Sequence, residues 1–459
     1  MDLVIRGGTL PDGNVADLGI AGEKIVQIGG HLSADVEIDA RDKLLLPGGV
    51  DAHVHLTNPP RETDGHGGPR WVDDFTSGSA AALAGGITTV GNMTSSGPGE
   101  SSLQALRRER DLVERQAIAD VFLHPVLGEP DERVLAEIPR LLECGYSSIK
   151  IFLSNPRFDR HLDGYVEAIG RAGASGLVSM LHCEDASIMA YATRRLVEQG
   201  HTSLRHFPES RPVLAEVVAT QRAVALAEAT GAPVYLVHLS SARALAVCAE
   251  ARARGVPVYV ETRPLYLHLT QTVFEGAEPG RFVGQPPLRE STDLAALWAG
   301  LSHGLIDTVC TDHAPWSLAA KLDPELSIER LRPGVENLQL LLPMLYSEGV
   351  RTGRLTLRRL IDLTSTNAAR LFGLYPRKGA LAVGSDADVV VFDPRLERRV
   401  TSTMLRSKAD YSVYEGWSVT GWPVVTVRRG EVVFRDGQGG ILGQPGSGRL
   451  LACGPTAAL

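Results

Sequence analysis

The sequence predicts an α/β fold: a (β/α)8 TIM barrel carrying a small composite β-sandwich formed by both termini. Three observations predict it. Eight short apolar runs alternate with helical stretches through the middle of the chain, the signature of a parallel sheet wrapped by helices. Both ends carry short β-rich runs broken by Gly, Pro and Asp. The middle runs also end in histidine, lysine or aspartate, and a barrel gathers its chemistry at the C-terminal ends of its strands.

Taken in order, residues 2–46 hold LVIRGG, ADLGIAGEKIVQIGG and VEIDARDKLLLP, strands of a small sheet and not a barrel unit. The eight barrel strands are expected at 49–55, 87–93, 120–126, 148–153, 177–184, 234–240, 258–264 and 306–312. Helical runs such as SLQALRRERDLVERQ, ALAVCAEARARG and STDLAALWAGLSHG separate them, and helices at 336–348 and 356–373 follow the eighth. The β texture returns at 387–394, 418–430 and 431–437. The expected division is therefore 1–48 with 376–438 as the sandwich and 49–375 as the barrel. Residues 439–459, rich in Gly, Pro and Ser, are expected to be a loose tail. A doubly wound open sheet is the competing fold, but no G-x-G-x-x-G follows a first strand.

The composition narrows the function. The chain has 459 residues, 44% hydrophobic and 22% charged, with a formal net charge of -8. No Lys/Arg cluster resembles a phosphate-tracking stripe, and no apolar run approaches the roughly 18 residues of a membrane span. The start lacks a basic segment followed by an apolar one, so a cytoplasmic location is expected. Five scattered cysteines without a CxxC pair read as buried thiols of a reducing compartment.

The stretch DAHVHL (51–56) carries the first chemical signal. In a strand with period two, His53 and His55 point to one face, where two neutral imidazoles can hold one metal ion. The same rim is expected to carry Lys150, His182, His238 and Asp312 at the ends of strands four, five, six and eight. Any one of these is more simply a satisfied core residue; six converging on one rim are not. Four histidines and an aspartate exceed the needs of one tetrahedral zinc and fit two ions sharing a bridge. An ammonium cannot bind a cation, but a deprotonated lysine can add carbon dioxide and become a carbamate with the ligating properties of a carboxylate.

These motifs resemble the cyclic amidohydrolases of the amidohydrolase superfamily: hydantoinases, dihydropyrimidinases, allantoinases and dihydroorotases. The resemblance spans nearly the whole chain and rests on DAHVHL, IKIFL (149–153), HCED (182–185), VHLSS (237–241), GQPPLR (284–289) and TDHAPW (311–316). It implies that His53, His55, Lys150 and Asp312 hold the more buried metal, and that carboxylated Lys150, His182 and His238 hold the other. The cofactors expected are two divalent ions, zinc by default, and the carbamate on Lys150. A metal-bridging hydroxide would attack the ring carbonyl, with Asp312 taking its proton and returning it to the departing nitrogen. The partner is a small cyclic amide, the product a ureido acid, and the protein a homo-oligomer, dimer or tetramer.

Substrate contacts are expected at Asn155, Arg263 and Gln285. Asn155 stands where hydantoinases typically have a tyrosine. Thr57 stands where dihydroorotases have a carboxylate-binding arginine, and Met93-Thr94-Ser95-Ser96 departs from their Met-Pro-Asn-Thr. Arg263, ending strand seven, would hold an acidic substituent or pair with Glu261 or another rim acid. FLSN (152–155) is closer to allantoinases, and residues 71–90 are closer to hydantoinases. The expected substrate is a hydantoin or dihydropyrimidine. The alternatives are an allantoinase, a dihydroorotase or, in another class, an inactive dihydropyrimidinase-like scaffold. His66 and Arg70 fall in a Gly-rich loop expected to be a mobile lid, while His124 and His268 are expected to be structural.

Overall fold

A computed structural model describes residues 1–58, 70–437 and 439–459. The chain opens with β1 (Leu3–Thr9), β2 (Val15–Ala21), β3 (Lys24–Ile28), β4 (Val36–Asp39) and β5 (Leu44–Pro47). The barrel strands follow: β6 (Gly49–Val54), β7 (Ile87–Ser95), β8 (Asp120–Val126), β9 (Ser148–Phe152), β10 (Val178–His182), β11 (Val234–Leu236), β12 (Val258–Thr262) and β13 (Thr308–Val309). They hydrogen-bond in chain order. A bridge between Val54 and His313 brings the last strand's end back to the first, with the His55 N–H donating to the His313 carbonyl at 2.8 Å. Strands covered on both faces need apolar side chains throughout, which is why a charged residue within them stands out.

Several motif residues turn out to begin helices. Asp185 of HCED accepts a hydrogen bond from Ile188 N at the start of Ala186–Glu198, and Ser241 of VHLSS does the same from Ala244 N for Ala242–Ala253. Each caps amides that would otherwise lack acceptors, so the strand-to-helix turn is fixed directly beside a rim histidine. The helical run expected at 336–348 is composite: a 3-10 turn (Leu338–Leu340), an α segment (Leu341–Leu345) and a π segment (Tyr346–Val350). No helix among the described residues is long and apolar enough to cross a membrane.

After the barrel come β14 (Val389–Arg399), β15 (Ser418–Arg428), β16 (Glu431–Arg435) and β17 (Gly440–Ile441). The two chain ends meet in one nine-stranded sheet, ordered β17-β16-β15-β14-β5-β1-β2-β3 with β4 on β1. Leu3, Ile5, Leu18, Ile20, Val389, Val391 and Val427 form its core. A buried ion network fastens this sheet to the barrel. Lys378 Nζ lies 2.6 Å from Asp120 at the start of β8 and 2.8 Å from Asp388, and Arg429 also binds Asp120.

The stretch read from composition as a loose tail is held in place. Val121 N–H donates to the Arg449 carbonyl and Leu451 N–H to the Val121 carbonyl; Cys453 N–H reaches Gly145 and Gly454 N–H reaches Gly373. Leu451 and Cys453 are buried in the same core cluster as Val50, Phe122, Met180 and Phe372. The Gly and Ser content that suggested disorder serves close backbone approach instead: a Cβ at Gly448 would lie 2.1 Å from the Ala119 carbonyl oxygen.

Candidate active site

Five of the six rim residues expected from the sequence line one cavity, and the sixth, Lys150, lies within electrostatic reach of His53, His182 and His238. The cavity, of about 200 Å³, is lined by His53, His55, His182, His238 and Asp312, together with Trp71, Phe152 and Gln285. One donor atom from each of His53, His55 and Asp312 falls within 4.8 Å of the others. The His53 and His238 rings are 5.5 Å apart and the His182 and His238 rings 4.5 Å, so the two halves of the constellation adjoin.

Buried acids set the orientation of these imidazoles. Glu261, fully buried on β12, accepts from His53 Nδ1 at 2.8 Å, from the His238 backbone N–H at 2.9 Å and from the Tyr235 hydroxyl at 2.8 Å. With Nδ1 carrying the proton, His53 turns Nε2 toward Asp312 Oδ1, 3.3 Å away. Glu184 does the same for His182, accepting from Nε2 at 2.8 Å while Arg211 holds it at 2.9 Å. Burial opposes the charge on Glu184, but Arg211 and the His182 N–H prevail and bring its carboxyl to about 2. Burial also pushes His53, His182 and His238 below the ordinary imidazole value, leaving them neutral with lone pairs free for a cation.

Lys150 is fully buried on β9, and its Nζ has no hydrogen-bond partner among the described residues. Burial lowers its pKa to about 8 against the pull of Glu261 and Asp312, so the amine loses its proton far more readily than an exposed lysine. An uncompensated amine in such a place is costly unless something engages it. The neutral imidazoles and the carboxylate suit a divalent cation.

Asp312 is gripped on both oxygens. Oδ1 lies 2.9 Å from His55 Nε2, and Oδ2 lies 2.9 Å from Arg263 Nη1. Burial opposes its charge, yet Arg263 and the two histidines hold the carboxyl well below its usual range. Asp312 and His238 are also two of only four non-glycine residues among those described with positive φ, at 49° and 41°. Such backbone is costly for L-residues and persists where neighbours over-determine it. For Asp312 the neighbour is Asp51, which accepts from Thr311 Oγ1 at 2.6 Å and from the His53 N–H at 3.1 Å, stitching β6 to the end of the eighth strand.

The proposed substrate contacts divide. Gln285 lines the histidine cavity. Arg263 is fully buried and faces Asp312; Glu261, its other candidate partner, is taken by His53 and Tyr235. Asn155 lies outside the histidine cavity, in a neighbouring one, where its side chain caps Pro156–Arg160 by accepting from Arg157 N. Thr57 Oγ1 accepts from Asn92 Nδ2 at 3.1 Å. His124 is internal, bonded to Ser148 Oγ; His268, at the end of the short helix Pro264–His268 and not in a strand, bonds the Pro264 carbonyl. His66 lies outside the described residues, so the lid expectation is not addressed there.

Sequence reasoning gave no role to Glu184 or Trp71, and offered Glu261 only as a partner for Arg263, not as the acid that orients His53. Glu261 had a signal: an acid inside the apolar run VYVET must be partnered. Trp71, whose ring stands 4.9 Å from that of His55, had none.

Comparison with known proteins gives the following. Residues 44–433 match the model of the family described as "Amidohydrolase family". A D-phenylhydantoinase of Escherichia coli (strain SE11) is 36% identical over 460 residues, covering 98% of each chain. A solved D-hydantoinase from a Bacillus sp. AR9 superposes with a TM-score of 0.92 at 34% identity, and a dihydropyrimidinase from Brevibacillus agri NCHU1002 with 0.93 at 34%, each covering 100% of both chains.

Proposed function

The chain belongs to the amidohydrolase family, and from that membership we propose that it hydrolyses a cyclic amide ring of the hydantoin or dihydropyrimidine type to a ureido acid. The observation that carries the reading is the convergence of His53, His55 and Asp312 in one cavity beside a buried Lys150 whose Nζ has no hydrogen-bond partner among the described residues. The family implies divalent metal. In this reading His53, His55, Lys150 and Asp312 hold one ion, and Lys150 as its carbamate, His182 and His238 hold a second, with zinc as the identity to test first. When bound, such ions polarise the ring carbonyl and acidify the attacking water.

The chain's own residues do the rest. Asp312 takes the proton from the attacking water as the C–O bond forms, and delivers it to the ring nitrogen as the C–N bond breaks. Its Oδ2 contact with Arg263 keeps Oδ1 aimed at the histidine pair. Trp71 and Phe152 wall the cavity with apolar surface that displaces water from the ring, and Gln285 supplies an amide to hydrogen-bond it. Glu261 and Glu184 keep the imidazoles in the tautomers that leave a lone pair facing the ions.

Dihydroorotate fits poorly. Thr57 is engaged with Asn92 and Arg263 with Asp312, so neither offers a clamp for a carboxylate fixed on the ring. A cytoplasmic homo-oligomer, dimer or tetramer, is part of the same proposal, and sedimentation of the purified protein tests it. The deciding experiment combines metal analysis with a panel of hydantoin, dihydrouracil, allantoin and dihydroorotate. About two ions per chain and turnover of the first two rings support the reading. Protein without metal or turnover would mark an inactive scaffold instead.

A further inference from the structure

Beside the histidine cavity lies a second one of about 180 Å³, over the ends of β7, β8 and β9, and Phe152 lines both. Small-molecule sites begin at roughly 300 Å³. Neither cavity reaches that alone; the two taken together across Phe152 do. A ring held against the histidines therefore borders, across Phe152, a second space into which a substituent could extend.

The chemistry of that side cavity is rich in donors. Val126, Leu127 and Phe152 provide apolar surface, while Ser95, Ser96, Asn155 and Arg157 provide polar groups, and Arg157 is its one charged lining residue among those described. Acids nearby are engaged elsewhere: Asp159 with Arg222 at 2.7 Å and Glu129 with His161 at 3.3 Å. The group beside the Arg157 guanidinium is a neutral phenol, Tyr165, whose hydroxyl donates to the Gly128 carbonyl at 2.6 Å. Asn155 uses its side-chain oxygen on Arg157 N, which leaves its NH2 as a further donor. A guanidinium with an amide and two hydroxyls, set behind an apolar collar, matches a carboxylate on a short aliphatic stem.

We propose that this side cavity receives a ring substituent ending in a carboxylate, so that the preferred substrates are hydantoins or dihydropyrimidines with a short acidic arm. The proposal rests on the ring-opening reading above and names the substrate class within it. A carboxylate fixed directly on the ring, as in dihydroorotate, has no arm to carry it past Phe152.

The test compares kcat/KM of the metal-loaded enzyme for hydantoin bearing a carboxyethyl arm with that for its carboxamide twin, which has the same shape and no charge. The wild type is expected to favour the carboxylate by about tenfold or more, mainly through KM. Arg157→Gln should bring the ratio close to one, and Arg157→Lys, which keeps charge but loses the planar fork, should fall between. Competitive inhibition by the two ring-opened products should show the same order, independent of turnover. A wild-type ratio at or below one, or a ratio unchanged in Arg157→Gln, overturns the proposal while bare hydantoin is still hydrolysed. Failure to hydrolyse any hydantoin or dihydropyrimidine overturns the ring assignment, and this proposal with it.

Discussion

Replacing Asp312 by Asn separates the two roles assigned to that carboxylate. Asp312 uses both oxygens, one 2.9 Å from His55 and the other 2.9 Å from the fully buried Arg263. An amide has the same outline but only one acceptor, so in either orientation its NH2 faces a cation or a donor. Loss of the proton carrier is expected to lower turnover by at least about 10²-fold. Loss of the counter-charge leaves a guanidinium buried without compensation, and breaking a buried pair from one side costs about 3–5 kcal/mol. Metal should remain bound in substantial amount, because the histidines and Lys150 are untouched. The measurements are steady-state kinetics, metal content and urea denaturation of Asp312→Asn, Arg263→Met and the double variant. The double variant should regain much of the lost stability, since no unpaired charge remains, without regaining turnover. Turnover of Asp312→Asn within a few-fold of wild type would refute the proton-transfer role. A denaturation midpoint unchanged in the single variant would refute the ion-pair argument.

Lys150→Ala should lose most metal and activity, with partial rescue by short-chain carboxylic acids; a crystal structure with a bare ammonium beside two bound ions would contradict the carbamate. Glu336 is fully buried with no well-formed hydrogen bond to either oxygen among the described residues, and burial followed by the nearby charge of Asp73 raises its pKa to about 8 against the opposing Gln339 N–H. The folded state then holds a proton the unfolded state has released, so this residue's contribution to stability falls as pH rises from about 4.5 to about 8 and is level beyond. Glu336→Gln should therefore be more stable than wild type at pH 8, with the gap closing toward pH 5; a gap independent of pH would show that Glu336 is not protonated in the fold. The kcat/KM ratio of dihydroorotate to dihydrouracil should lie well below one. Because Arg263 touches Asp312, Arg263→Ala should lower turnover of neutral rings as well, and a ratio above one that this variant abolishes would overturn the substrate assignment.

The residues proposed to hold metal were legible for one physical reason. A strand buried on both faces tolerates almost no charge, so His53, Lys150 and His238 stood out against Val, Ile and Leu. Period two then put His53 and His55 on one side without any structure. Arg263 was harder, because its partner depends on which acid is left over: Glu261 is claimed by His53 and Tyr235, two strands that the sequence does not show to be adjacent at that level. Asn155 caps a short helix beside the neighbouring cavity, a position set by loop geometry that periodicity does not predict. Residues 439–459 read as loose because Gly and Ser permit disorder, but they equally permit the tight approach of one backbone to another. Only Leu451 and Cys453, two apolar positions spaced two apart, hinted at a strand-like course along the barrel.

The sheet built from both ends of the chain also constrains the order in which the molecule can be assembled. β5 emerges early in synthesis, but its partner β14 lies more than 300 residues later, as does Asp386, which pairs with Lys24 across a separation of 362. Throughout that interval β5 presents an open row of backbone donors and acceptors, the kind of edge on which other chains pair. Long-range pairing of this sort forms slowly, and the transient species it leaves are prone to aggregate. A fragment ending before Val389 is accordingly expected to self-associate through β5, and a Pro placed at Leu45 should suppress that association; a fragment that sediments as a monomer would show that the early strands shield their own edge.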